Sequence, residues 1–225
     1  MKKIGLIVFI IALAIGLAFS TNCSFGGFSN LSGVQGSGTS KTETRNVSGF
    51  KKIDAGGAIH VNVSVQKDFS VMVEADDNLL ANIKTEVSGD TLKIYSEDRI
   101  SPKTRVNIQI SMPVIEGLDI SGASSGNVAG VNADSLELKA SGASKIKIDG
   151  TAKELNADAS GASTIDAENL RVEDADVEAS GASKAIVTAT NDLKVDASGA
   201  SKISYVGEPK NIKQNSSGAS SVTKK

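Results

Sequence analysis

The sequence has few of the residues from which enzyme sites and large aromatic cores are built. Its 225 residues include no Trp, two Tyr, one Cys and one His. A single cysteine excludes a disulfide framework and a Cys-rich metal site. The lone histidine, His60, excludes the usual His-based zinc cluster and leaves little material for a Ser-His-Asp triad. We therefore expect no catalytic residues, no metal site and no cofactor.

An excess of one charge is also missing. Lys and Arg number 24 against 26 Asp and Glu, which is typical neither of a nucleic-acid-binding protein nor of a disordered acidic segment. We expect no nucleic-acid partner. Because aromatic residues are so few, the core must be closed by Val, Ile, Leu and Ala.

Residues 1–22 carry the pattern of a secretory signal peptide. Two lysines, Lys2 and Lys3, precede sixteen uncharged residues, 4–19, that are apolar or Gly. As a helix this run would span about 24 Å, which is shorter than the roughly 30 Å hydrocarbon core of a bilayer. An uncleaved membrane anchor is therefore the less favoured interpretation.

Two ways of processing this signal remain open. Cleavage after Ser20 fits the small-x-small rule and would start the mature chain at Thr21. Cys23 instead lies where bacterial lipoproteins are lipidated, although Asn22 is not the usual preceding residue. A lone unmodified cysteine is a liability in an exported protein, so lipidation of Cys23 is favoured. We expect an outer-membrane or surface lipoprotein, or otherwise a periplasmic or secreted protein.

Residues 23–45 are rich in Gly, Ser, Thr and Asn. Such a composition is typical of a flexible tether between an anchor and a folded domain. The folded domain is expected to occupy residues 46–225.

A repeat of about 19 residues dominates the second half of the chain. The tetrapeptide Ser-Gly-Ala-Ser recurs at intervals of 20, 19, 20, 18 and 19 residues, beginning at Ser121, Ser141, Ser160, Ser180, Ser198 and Ser217. Apolar and charged residues alternate on both sides of it, which is the period of a β-strand. A unit this short cannot bury its own apolar side, so the units must stack. The sequence predicts an all-β fold, a single-stranded parallel β-helix (solenoid) with coils of about 19 residues.

In such a stack, equivalent residues of successive coils form columns with a spacing of about 4.8 Å. A corner of each coil needs a residue that accepts positive φ or a close backbone approach. The repeat assigns this role to its glycines, Gly122, Gly142, Gly161, Gly181, Gly199 and Gly218. The pattern leaves open whether the serine columns face inward or outward.

Residues 46–115 alternate like strands but lack the period of the repeat. They predict irregular N-terminal coils and a cap for the stack, followed by the repeats in residues 116–225. Residues 87–91 predict a tight hairpin turn. Residues 76–82 are compatible with one helical turn or a loop.

Polar residues in the strands suggest a solvated outer face rather than a site. Acidic residues alternate with apolar ones and with lysines at Asp134, Asp149, Asp158, Asp166, Asp174, Asp176 and Asp196. The acidic run 173–176 lacks the Gly-x-Gly-x-Asp spacing of calcium-stacked β-rolls. His60 is expected to be an exposed strand residue without a companion nucleophile. Recurring lysines suggest a positive stripe that neighbouring acids should neutralise, at Lys145, Lys147, Lys184 and Lys202.

Several of these features occur together in one known family. They are the secretion signal with a nearby Cys, the lead-in VSGFKKI at 47–53, the strand IHVNV at 59–63, the segment GDTLKI at 89–94 and the serial Ser-Gly-Ala-Ser units. The chain thereby resembles the putative auto-transporter adhesin, head GIN domain family, over residues 47–222. The resemblance implies a bacterial envelope protein with a β-helical domain and an adhesin role. It implies no catalytic or binding residues.

The expected function is an exported, non-enzymatic surface module for adhesion, envelope interaction or structural support. Its partners would be an envelope or extracellular ligand, the membrane through a lipid anchor, and other copies of the chain through a thinly covered C-terminal end. The alternative is an envelope protein that processes or binds polysaccharide, which needs two or three carboxylates converging with an Arg or Lys in a groove. Beyond Ser101 only Tyr205 offers an aromatic platform for sugars, which disfavours this alternative.

Overall fold

A computed structural model describes residues 33–66 and 68–225. The predicted signal peptide, Cys23 and the first part of the predicted tether lie outside these residues. The described part of the chain contains no helix able to cross a bilayer.

The described residues form eighteen β-strands. In chain order they are β1 (Val34–Gln35), β2 (Ser40–Arg45), β3 (Lys52–Ala55), β4 (His60–Val65), β5 (Ser70–Asp76), β6 (Ile83–Ser88), β7 (Thr91–Ser96), β8 (Ile100–Ser101), β9 (Asn107–Met112), β10 (Gly117–Ile120), β11 (Ser125–Ala140), β12 (Lys145–Ala159), β13 (Thr164–Ala179), β14 (Lys184–Ala189), β15 (Asp192–Ala197), β16 (Lys202–Val206), β17 (Asn211–Ser216) and β18 (Ser221–Lys224).

The Ser-Gly-Ala-Ser units stack as successive parallel coils, which confirms the predicted β-solenoid. Each tetrapeptide forms a corner between two strand segments, and equivalent segments of neighbouring coils pair in parallel. The segments that precede the corners pair with one another and form one side of the solenoid, here called sheet I. It consists of β10, the C-terminal halves of β11, β12 and β13, and the strands β15 and β17. The segments that follow the corners form the other side, here called sheet II. It consists of the N-terminal halves of β11, β12 and β13 and the strands β14, β16 and β18.

A second bend lies opposite each corner. The three long strands β11, β12 and β13 change direction there, where the pairing register shifts. Gly150 at one of these bends has φ 125°, a value that other residues rarely adopt. Each long strand therefore contributes its first half to sheet II and its second half to sheet I.

The N-terminal coils do not stack in chain order. Strand β3 pairs in parallel with both β7 and β10, and β4 pairs in parallel with both β9 and β11. The coil made by β3 and β4 is therefore inserted between the coil of β7 and β9 and the first repeat coil. Antiparallel strands cover the outer coil, with β6 on β7 and β5 on β9, and they serve as the cap.

Part of the expected tether is structured. The composition predicts flexible chain to residue 45, but Val34–Gln35 pairs with β8, and Ser40–Arg45 pairs antiparallel with β5. Every residue of β2 is exposed or half-buried. A strand can pair with an open sheet edge through backbone hydrogen bonds alone, without an apolar face. Composition therefore does not reveal this strand.

Turns between the cap strands follow simple sequence signals. The hairpin of β6 and β7 closes on Gly89, at φ 64°, and Asp90, as the sequence predicts. Residues 77–82 form consecutive turns rather than a helix.

The core is aliphatic, as the composition predicts. Val, Ile, Leu and Ala fill the space between the sheets in the repeat coils, and Phe50 is the buried aromatic residue among those described. Phe50 packs against Phe69 in the cap, with ring centroids 5.0 Å apart. Alternation continues through each corner: Ala140 and Ser144 are buried, whereas Gly142 between them is exposed.

Candidate functional surface

The six repeat glycines lie at the corners with φ between 71° and 74°. A Cβ added to Gly142, Gly161, Gly181, Gly199 or Gly218 would lie 2.7–2.8 Å from the carbonyl oxygen of the glycine one coil earlier. At Gly122 the corresponding contact is 2.5 Å from the Gly57 oxygen. Their role is to let the coils approach, so these residues shape the scaffold and offer no ligand atoms.

The second serine of each repeat faces inward, which settles the orientation that the sequence leaves open. Buried serines occupy this column at Ser124, Ser144, Ser163, Ser183 and Ser201. The Ser183 hydroxyl donates to the Ala159 carbonyl of the preceding coil at 2.8 Å, and Ser163 and Ser201 make the same bond. This column is thus part of the core and unavailable to a partner.

The outer face of sheet I carries rows of acidic and basic residues. A row here is a set of equivalent positions on successive coils. One row contains Asp158, Glu178 and Asp196, and the next row contains Asp176 and Lys194. The Lys194 ammonium lies 2.9 Å from Asp176 and 3.4 Å from Asp196. Lys194 thus compensates Asp176 and Asp196, whereas Asp158 and Glu178 form no ion pair among the described residues.

Three carboxylates on this face converge more closely than the sequence indicates. Asp176, Glu178 and Asp196 place one oxygen each within 4.8 Å of one another, beside a groove of about 370 Å³ that Asp158 and Asn215 also line. Alternation marks Asp176 and Asp196 as outward-facing, but only the stacking of coils shows that they meet Glu178. A divalent cation could be held by such oxygens, yet Lys194 already supplies positive charge there.

Electrostatics of this cluster favour an ion-paired surface. The side-chain hydrogen bond from Asn215, together with Lys194, holds the pKa of Asp196 below its usual value despite partial burial. The hydrogen bond with Asp176 raises the pKa of Lys194. A carboxylic general acid needs a raised pKa and an amine general base needs a lowered one, so neither Asp196 nor Lys194 is tuned for those two roles.

The other predicted acidic residues are dispersed. Asp134 pairs with Lys153 at 2.6 Å, Asp149 accepts the Gly130 amide, and Asp174 accepts the side chain of Asn191. None of these three takes part in the converging cluster.

A notch of about 180 Å³ on sheet I brings Asp54 and Asp119 together on adjacent coils. Burial raises the pKa of Asp119, and the like charge of Asp54 raises it further. Lys139 opposes this rise. The sequence does not show that these two carboxylates are neighbours, because β3 and β10 are far apart in the chain.

Sheet II presents a contrasting face. Lys145, Lys184 and Lys202 lie in one row with Thr164, and Lys147 lies in the next row. All four lysines are exposed. Among the described residues, none of them forms an ion pair. We call these four residues the lysine patch.

Among the described residues, no acid forms an ion pair with the lysine patch, although the sequence predicts that neighbouring acids neutralise it. Asp166 is the in-register neighbour of Lys147, but no ion pair joins them. The other register neighbours of the four lysines are uncharged residues or lysines, an arrangement that alternation within a strand does not specify.

His60 also differs from its predicted setting. Its Nδ1 lies 2.6 Å from the hydroxyl of Ser125 on the adjacent coil, although the sequence suggests no companion nucleophile. Burial, and the charge of Arg105, lower the pKa of His60, which favours the neutral form of the ring. A Ser-His pair needs an orienting group and an oxyanion site to act in acyl transfer. The described residues give the other ring nitrogen no hydrogen-bond partner.

Comparison with known proteins agrees with the solenoid. The family model described as "Putative auto-transporter adhesin, head GIN domain" matches residues 49–209. No curated protein matches the chain.

Solved structures share the fold at low sequence identity. A putative adhesin from Bacteroides fragilis NCTC 9343 is 20% identical, with a TM-score of 0.71 over 85% of this chain and 100% of its own. Putative adhesins from Parabacteroides merdae ATCC 43184 and Parabacteroides distasonis ATCC 8503 are 16% and 22% identical, with TM-scores of 0.57 and 0.56. Each of these covers 85% of this chain, and the matches extend over 98% and 99% of their own lengths.

Proposed function

This chain belongs to the putative auto-transporter adhesin, head GIN domain family, and we propose that it is an exported, non-enzymatic adhesion module of the bacterial envelope. Residues 1–22 would direct export. Lipidation of Cys23 would hold the mature protein at the membrane, with the solenoid projecting from it. Contact with an envelope or extracellular ligand would be made by an outer face of the solenoid rather than by a pocket with catalytic groups.

The observation that carries this proposal is the lysine patch. Its lysines are exposed and form no ion pair among the described residues, and Lys184 and Lys202 lie on adjacent coils, whose strands are about 4.8 Å apart. A flat array of this kind attracts a repetitive anionic partner, because several weak contacts formed together add in avidity. The ligand class we propose is therefore an acidic polymer of the cell surface or its surroundings.

A charge reversal on one face tests this proposal. The variant Lys145→Glu/Lys184→Glu/Lys202→Glu should lose binding to acidic glycans and matrix proteins in an array screen. The control Lys93→Glu/Lys153→Glu/Lys213→Glu makes the same charge change at exposed lysines away from the patch and should retain binding. Binding by the wild type should also weaken as salt rises, since screening shortens electrostatic reach. Equal binding by both variants would contradict the proposal.

The second candidate, polysaccharide processing or binding, is favoured by the converging carboxylates with Lys194 beside the groove. It predicts that purified protein releases new reducing ends or unsaturated sugars from envelope polysaccharides. It also predicts that Glu178→Gln and Asp196→Asn abolish that release. Absence of any product with the wild-type protein would remove this candidate and leave adhesion.

The anchor is tested separately by mass spectrometry of the mature N-terminus. Lipidation predicts a mature chain that begins with acylated Cys23, whereas simple secretion predicts an unmodified chain that begins at Thr21. Replacement Cys23→Ser should release the first form from membranes and leave the second unaffected.

A further inference from the structure

The column of corners extends one coil beyond the six repeats. The Gly57 carbonyl accepts the Ala123 amide at 2.7 Å, and Gly57 has φ 113°. Gly56, Gly57 and Ala58 thus form a seventh corner, which lacks the Ser-Gly-Ala-Ser signal. In the coil beyond it, made by β7 and β9, no equivalent corner stacks on Gly57, because a Cβ added to Gly57 would have no atom within 4 Å.

A cavity of about 370 Å³ occupies the place where the next corner would lie. Gly57 and Ala58 line it and are exposed. Apolar side chains form most of its walls, namely Ile59, Ile83, Ile94, Tyr95, Ile100 and Pro102. This volume is within the range of small-molecule sites, and the wall favours an aliphatic or aromatic group.

An unused hydrogen-bond donor faces this cavity. At the later corners each alanine amide donates to the glycine carbonyl one coil earlier, over 2.7–2.8 Å, at Ala123, Ala143, Ala162, Ala182, Ala200 and Ala219. Ala58 itself lines the cavity. Among the described residues, the Ala58 amide has no acceptor. A ligand oxygen placed there would complete the column.

Positive charge is available at the rim. Arg99 lines the cavity and is exposed, and within the described chain it has no ion-pair partner. Its backbone is held in place because its carbonyl accepts the Val34 amide at 2.8 Å. Asp98 also lines the cavity, and its carboxylate accepts a hydrogen bond from the side-chain amide of Asn82 at 2.9 Å.

We propose that this cavity binds a small amphiphilic carboxylate, with its apolar part against the isoleucines and its carboxylate between the Ala58 amide and Arg99. The proposal is independent of adhesion through the lysine patch, which lies on the outer face of sheet II. A fatty acid and the C-terminus of an apolar peptide share this chemistry.

Amide NMR of the full-length, ¹⁵N-labelled protein tests the site directly. Sodium octanoate should produce a saturable downfield shift of the Ala58 amide proton, while the alanines of the later corners stay unchanged. Acetate lacks the apolar part and 1-octanol lacks the charge, so each should bind much more weakly. Acetyl-Gly-Gly-Leu, compared with octanoate, shows which source of the carboxylate is preferred.

Two substitutions separate the carboxylate contact from nonspecific attraction. Arg99→Gln should weaken octanoate binding about tenfold, the loss expected for one charged hydrogen bond near the surface. Arg105→Gln removes an exposed arginine outside the cavity and should leave the affinity unchanged. The proposal is overturned if octanoate leaves the Ala58 amide unmoved, if acetate binds as well as octanoate, or if both arginine variants behave alike.

Discussion

The buried carboxylate of Asp76 accepts the backbone amide of Gly38 at 2.7 Å. Its other oxygen accepts the amides of Lys103 and Thr104 at 2.8 and 3.2 Å. One side chain therefore joins three segments of the cap, namely the approach to β2, the end of β5 and the loop before β9. Burial opposes ionisation of Asp76, but the backbone donors outweigh it and hold its pKa below the ordinary value.

Asp76→Asn should destabilise the cap, because the amide group of Asn would face backbone donors that need an acceptor. A lowered folded-state pKa contributes stability at neutral pH that is lost as the pH falls through the unfolded and then the folded value. We expect a Tm lower by about 5 °C or more at pH 7, with the difference narrowing towards pH 3. Thermal unfolding across this range measures it, and Asp68→Asn, at an exposed carboxylate, is the control. An equal loss at both pH values would contradict the role of ionisation.

Gly161→Ala tests the corners. The added Cβ would meet the Gly142 carbonyl at 2.8 Å in a backbone with φ 72°, so conformational strain and a steric clash act together. Gly49→Ala is the matched control, since Gly49 has φ 82° but no atom within 4 Å of the added Cβ. Chemical denaturation should show a loss of about 3 kcal/mol for the first and about 1 kcal/mol for the second. Equal losses would mean that close stacking contributes nothing.

The inward serines offer a second matched pair. Ser183→Ala removes a buried hydroxyl that donates to Ala159, and its carbonyl partner would lose that donor. The Ser144 hydroxyl is equally buried but has no partner among the described residues. Ser183→Ala should cost about 1 kcal/mol of unfolding free energy, whereas Ser144→Ala should be neutral or stabilising. The reverse order would show that the hydroxyl bonds do not determine stability.

Asp119→Asn should stabilise the protein slightly at neutral pH. Because burial and Asp54 raise the folded-state pKa of Asp119, its ionised form is disfavoured in the fold. Stability is lost as the pH rises from the unfolded to the folded value. We expect the variant to melt about 1 °C higher at pH 7, a small effect because the group is partly solvated, and no higher at pH 3. A lower melting temperature at pH 7 would show that the charge is stabilising.

The sequence predicts those properties of the site residues that are set within one strand, but not their contacts with strands that are distant in the sequence. Repetition predicts that Asp176 and Asp196 lie outward, because alternation within a strand is local. It does not predict the contact of His60 with Ser125 or of Asp54 with Asp119, since each pair joins strands that are adjacent in the stack but about 65 residues apart in the sequence. The Gly56–Gly57 corner was likewise missed, because a single imperfect copy carries no periodic signal.

The repeat alone specifies the coil length, the corner glycines and the aliphatic interior. A short strand with one apolar side can bury that side only when its repeat unit stacks with other units of the same repeat. The repeat could not specify which cap coil lies beside which, that β2 completes an edge, or that the lysine patch stays unpaired. Those features depend on backbone pairing between strands and on which side chains the register of neighbouring coils places side by side. Such long-range contacts arise only when the whole chain has folded.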